Sequence, residues 1–105
     1  MNYFHEHKLW QEAYVALMEL HDVFDPTNSP QLLASGSKVS AMIADALSRN
    51  DNRKRNEIIA ETVGEVAVTR SHLAVAWGRK LVEDDAFRAL DNRYANLSQA
   101  LQNFR

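Results

Sequence analysis

The side chains through which this chain could do chemistry are few. They are four histidines, a cluster of three arginines and one lysine at a single junction, and one arginine set among apolar neighbours. A metal site needs three or four ligands that converge, and a di-iron bundle supplies them as Glu-x-x-His on two helices. No glutamate stands three residues before His5, His7, His21 or His72. An arginine–histidine pair of the ribonuclease-toxin kind would place arginine at 65, 66 or 67, where Glu65, Val66 and Ala67 stand. Gly36, Gly64 and Gly78 are too dispersed for a phosphate-cradling loop. Cysteine is absent, which removes thiolate ligands, disulfides and cysteine nucleophiles together. The sequence therefore predicts surface histidines, no catalytic residue, no metal, no cofactor and a protein that is not an enzyme.

Arg70 projects from an apolar face between Val63, Val66, Leu73 and Trp77. The expectation is that its stem lies along apolar surface while its head reaches water. The competing reading is a buried ion pair that sets register or a subunit contact. Arg49, Arg53, Lys54 and Arg55 gather where two helices meet, diluted by Asp51 and Glu57. They read as a solvated helix start, or as a nucleic-acid contact if repeated around an assembly. Trp10 and Trp77 read as core or interface anchors.

These residues must be positioned by helices. No segment sustains the period-two alternation of a strand, and the breakers fall at three places. Asp25 to Pro30 is a loop with Ser29 as a cap and Pro30 at the first helical position. Asn50-Asp51-Asn52 is a turn. Gly78 opens the third break, and Glu83-Asp84-Asp85 offers caps and acidic charge for the helix that follows.

Four helices are predicted, over 7–24, 30–49, 52–77 and 84–104. The inward stripes are Leu9, Trp10, Ala13, Leu17, Leu20 and Phe24 on the first, and Leu32, Gly36, Val39, Ile43 and Leu47 on the second. The fourth carries a heptad seam of Phe87, Leu90, Tyr94, Leu97, Leu101 and Phe104. The third is unusual. Ile59, Val63, Val66, Leu73 and Trp77 define its inward face, and an adjoining stripe of Ala60, Gly64, Ala67, Val68, Ser71, Ala74 and Val75 is also apolar. Only a narrow strip with Glu61, Glu65 and His72 is plainly polar. Short breaks between helices favour antiparallel neighbours. The reading is all-α: a single domain over 1–105 that forms an antiparallel up-down-up-down four-helix bundle.

Composition fits this. The 105 residues are 46% hydrophobic and 25% charged, an ordinary globular mix able to bury a core. The net charge of −2 lacks the basic excess of a dedicated nucleic-acid binder. Met1 to Trp10 holds His5, Glu6, His7 and Lys8 instead of an uninterrupted apolar stretch, and no run approaches the ~20 residues of a membrane span. A cytoplasmic location without membrane contact is expected.

The chain resembles a known family. Leu9-Trp10-Gln11-Glu12-Ala13 follows Phe4 and precedes Phe24-Asp25-Pro26. Gln31-Leu32 opens the second helix, which runs on to Ile43-Ala44-Asp45 and Arg49. Gly64 sits mid-way in the third, with Leu73 and Ala76 after it. This pattern is similar to the four-helix-bundle family of proteins encoded in intervening sequences of 23S rRNA, which includes accessory proteins of diversity-generating retroelements. The resemblance implies an up-down bundle that assembles into a ring-like homopentamer. For the retroelement branch it implies binding to nucleic acid and to a reverse transcriptase. The two basic residues that usually follow the second-helix glutamine are Leu33 and Ala34 here.

Two functions are expected in consequence. One is a non-enzymatic assembly protein that buries Ala60, Gly64, Ala67, Val68, Ser71 and Val75 against another copy. The other is an accessory factor that contacts RNA or DNA through Arg49, Arg53, Lys54 and Arg55, acting with an RNA or reverse transcriptase partner.

Overall fold

The computed structural model describes residues 3–104. A short 3-10 turn, Phe4–Glu6, leads into four helices: α1 (Lys8–Val23), α2 (Pro30–Leu47), α3 (Asn52–Gly78) and α4 (Asp84–Gln102). Among the described residues there is no strand.

The helix ends have local causes. The His7 Nδ1 atom accepts from the Leu9 N–H at 3.0 Å and caps α1. Asp25 accepts from the Thr27 N–H at 2.8 Å, closing the turn that Pro26 begins. Pro30 occupies the first turn of α2, where its missing N–H costs nothing. Ser29 makes no side-chain cap; it is buried, and its carbonyl accepts from the Leu33 N–H at 3.2 Å. Asp51 caps α3 through the Arg53 N–H at 2.9 Å.

The end of α3 differs from the sequence reading. Gly78 is still helical, and the left-handed residue that stops the helix is Lys80, with φ 63°. Lys80 N–H donates to the Trp77 carbonyl and Leu81 N–H to the Ala76 carbonyl, each at 2.9 Å. This is the Schellman arrangement, with lysine where glycine is usual.

Each helix packs on the next, and α4 returns to α1, so the four close into a square prism of 43 × 20 × 19 Å. The short turns make neighbours antiparallel, as the break lengths predict. One continuous cluster fills the centre. Gly36 of α2 is required there: a methyl group at that position would lie 2.7 Å from Leu20 Cδ1 and 3.1 Å from Tyr94 Oη. Tyr94 thus reaches across the core from α4 to the α2 backbone.

The inward face of α3 is rotated from the predicted one. Ile58, Thr62, Thr69 and Ala76 join Ile59, Val66 and Leu73 in the core, while Val63 is half-buried and Trp77 is 41% exposed. The threonines can be buried because their hydroxyls donate to carbonyls one turn back, Thr62 to Ile58 at 2.7 Å and Thr69 to Glu65 at 3.0 Å. Trp77 stacks on Phe87 with ring centroids 4.5 Å apart, and its Nε1 donates to Asp84 at 2.8 Å. It anchors the α3–α4 corner from outside. Trp10 is half-buried and stacks on exposed Tyr14 at 5.3 Å.

Candidate assembly face

The helix α3 runs the length of the prism and is apolar on two sides. One side is the core face. On the opposite side, not an adjoining one, lie Ala60, Gly64, Ala67, Val68, Ser71, Ala74 and Val75, and every one of them is exposed. Steps of four and three between Ala60, Gly64, Ala67, Ser71 and Ala74 hold the small residues on one stripe. Val68 is 43% exposed and Val75 57% exposed along its flank. Among the described residues nothing covers the stripe; a methyl group added at Gly64 would meet no atom of another element within 4 Å. A helix apolar on both sides is the pattern of burial on both sides.

Three of the four seams between helices carry a polar staple, and none of these was visible as a pair in the sequence. Arg70 of α3 binds Asp91 of α4 in a fork, Nε to Oδ1 at 2.8 Å and Nη2 to Oδ2 at 3.0 Å. Arg70 is therefore an ion-paired residue rather than a free head in water. Its hydrogen bonds to Asp91 hold the guanidinium pKa above its ordinary value, against the opposing effect of burial. Arg93 of α4 grips Glu19 of α1 in the same way, with two contacts of 2.8 Å. Between α2 and α3, Ser35 Oγ donates to Glu65 at 2.7 Å and lies 2.7 Å from Thr69 Oγ1, while Lys38 sits 3.6 Å from Glu65. Glu65 is thus half-buried at a seam and does not belong to a free polar strip.

The predicted basic cluster lies at one end of the prism, and each member has a local partner. Arg49 pairs with Asp45 at 2.9 Å, Arg53 and Lys54 each stand 3.8 Å from Glu57, and Arg55 hydrogen-bonds Asn52. The hydrogen bond that Arg49 donates to Asp45, then the charge of Asp45, raises the Arg49 pKa. The tertiary structure adds aromatic neighbours that spacing could not show. Tyr3, Phe4, His7 and Phe104 share a shallow cleft with Leu47 and Arg55. Phe4 meets Trp10 edge-on at 5.4 Å, and His7 meets Phe104 at 5.7 Å.

Among the described residues no group of three or more histidines, aspartates or glutamates is placed to hold a metal ion. His5, His7 and His21 are exposed and His72 is half-buried; His5 and His7 are near neighbours, while His21 and His72 lie far from them in the chain. Among the described residues no helix is long and apolar enough to cross a membrane. The chain matches no protein-family model, and neither curated proteins nor solved structures give a significant match to it.

Proposed function

We propose that this chain is a non-enzymatic helical-bundle protein of the rRNA intervening-sequence type, which works by assembling with copies of itself through the outer face of α3. One observation carries the reading: the exposed apolar stripe directly opposite the core face of the same helix. A lone bundle gains nothing from an apolar outer stripe, whereas an interface buries it. The resemblance supports the same reading and adds the expectation of a ring-like homopentamer. Light scattering coupled to gel filtration tests it. The expected result is a multiple of the 12.0 kDa chain mass. A clean monomer at high concentration overturns the proposal. Val68→Glu is expected to dissociate the assembly while leaving helicity intact, because Val68 takes no part in the core.

A second reading is a nucleic-acid-binding accessory factor that acts with an RNA or reverse transcriptase partner. The observation in its favour is the meeting of Tyr3, Phe4 and Phe104 with Arg55 at the end that also holds Arg49, Arg53 and Lys54. Stacking faces beside positive charge are how single strands are held without sequence preference. Titration of RNA and DNA at two salt concentrations tests this reading, since phosphate-driven binding falls steeply with salt. Absence of binding at low salt removes it, and binding unchanged by Arg53→Ala with Arg55→Ala moves the contact elsewhere.

A further inference from the structure

The end of the prism away from the Arg49-to-Arg55 cluster holds a different arrangement. Neighbouring helices are antiparallel, so the 18-residue α2 starts where α3 finishes. Between these two ends is a cleft of about 170 Å³, lined among others by Ser29, Gln31, Leu32, His72 and Arg79. No aspartate or glutamate lines it. The start of α2 is open. Pro30 has no N–H, and the Leu33 N–H donates to the Ser29 carbonyl. That leaves the N–H groups of Gln31 and Leu32, which have no acceptor within their own helix and none among the described residues. An N-cap serine ordinarily turns its hydroxyl to these two donors. Ser29 does not, and no acidic residue stands in the first turn to answer the positive end of the helix dipole.

Ser29 is the observation that points to a ligand. It is only 7% exposed, it lines the cleft, and its hydroxyl makes no hydrogen bond among the described residues. The buried side-chain atoms sealed from solvent without a partner are Arg55 Nε and Tyr94 Oη, and Ser29 Oγ is not one of them. The hydroxyl therefore opens onto the cleft. A hydroxyl so deeply set is costly to leave unpaired, and its partner has to come from the cleft itself.

The other groups call for the same kind of partner. Arg79 is exposed and forms no ion pair among the described residues. It stands at the left-handed turn that ends α3, and that turn removes a competing charge. The N–H groups of Arg79, Leu81 and Lys80 take the carbonyls of Val75, Ala76 and Trp77, each at 2.9 Å, so these three carbonyls are already occupied. His72, half-buried, adds an imidazole from α3. Unpaired donors beside a free guanidinium suit an oxyanion. The volume lies below the roughly 300–1,000 Å³ that encloses a whole small molecule, so the cleft suits one ionic group.

We propose that the cleft between the start of α2 and the end of α3 binds a phosphate group, which accepts from the Ser29 hydroxyl and the Gln31 and Leu32 N–H groups and is countered by Arg79. The site depends neither on the assembly face nor on the basic cluster. Amide NMR of the full chain tests it. Inorganic phosphate, titrated against chloride at equal ionic strength, is expected to shift the Gln31 and Leu32 amide signals saturably. Arg79→Gln removes an exposed charge outside the core and is expected to weaken that binding about tenfold. Ser29→Asp puts a capping carboxylate where the phosphate would sit, and is expected to abolish binding while circular dichroism shows the helices intact. Should Ser29→Asp lose its fold, Arg79→Gln decides alone. Glycerol phosphate distinguishes the sources. If it shifts the same two amides at lower concentration than inorganic phosphate, the ligand is a phosphate monoester; if inorganic phosphate alone shifts them, it is the free ion. The proposal is overturned if chloride or acetate gives the same shifts at the same concentrations, or if phosphate binding is unchanged by Arg79→Gln.

Discussion

Tyr94 carries the most unusual single-residue environment. Its ring fills the centre of the bundle with no solvent exposure, and its hydroxyl has no hydrogen-bond partner. An unpaired buried hydroxyl costs about 1–3 kcal/mol. Tyr94→Phe removes that cost and leaves only a small gap, so a gain of about 1 kcal/mol is expected in denaturant unfolding. Burial, with the negative charge of Glu19 adding to it, pushes the Tyr94 pKa well above its usual value. The sign follows: the neutral phenol is the form the fold accepts. The stability it contributes is complete below the unfolded value of about 10 and is lost as pH rises above it. Unfolding scans against pH should show an alkaline loss that Tyr94→Phe reduces. Gly36→Ala tests the same spot from the other side. The added methyl strikes Leu20 and Tyr94, and overpacking of this kind costs about 1–3 kcal/mol. That exceeds the ~1 kcal/mol that alanine gains over glycine in a helix, so a net loss is expected in the same measurement.

At the scale of elements, the α3–α4 corner and the α4 seam make separate demands. Lys80 holds a left-handed backbone, φ 63°, that glycine adopts without strain. Lys80→Gly is therefore expected to stabilise the bundle by about 0.5–1 kcal/mol, read as a higher melting temperature. The α4 seam is tested by contrast. Leu97 is buried to 1% exposure and Gln99 is exposed. Leu97→Ala should cost about 2–5 kcal/mol, a large part of the ~5–15 kcal/mol that holds a small domain together. Gln99→Ala should change stability by less than about 0.5 kcal/mol. Equal melting of both variants and the parent would mean that α4 does not complete the core. The heptad in α4 is plain to read because every core position there is apolar. The α3 face was read with an error of rotation because Thr62 and Thr69 look polar until their hydroxyls are seen bonded to the preceding turn.

For the whole molecule, assembly and stability are linked. A partner that binds only the folded chain stabilises it by mass action. The melting temperature should therefore rise with protein concentration, and Val68→Glu should abolish that rise without lowering the melting temperature of the dilute chain. A melting temperature independent of concentration across the range where light scattering is performed would argue against the assembly proposal. The outer stripe of α3 was legible in the sequence as small residues at helical spacing. Its position opposite the core face, uncovered by any of the described residues, required the packed bundle.

The number of helices, their ends to within a few residues, and the antiparallel bundle were all legible in the order of residues. The reason is that apolar periodicity, Pro30, Asp51 and the Asp25 to Pro30 loop act locally, over a turn or two of chain. Which polar side chains meet was settled by the packing of the helices. The Arg70–Asp91 and Arg93–Glu19 forks, the Ser35–Glu65–Thr69 contact, and the fit of Tyr94 over Gly36 join residues distant in the chain. Those pairings depend on the rotation and axial register of one helix against another. Helical spacing leaves both free until the core closes.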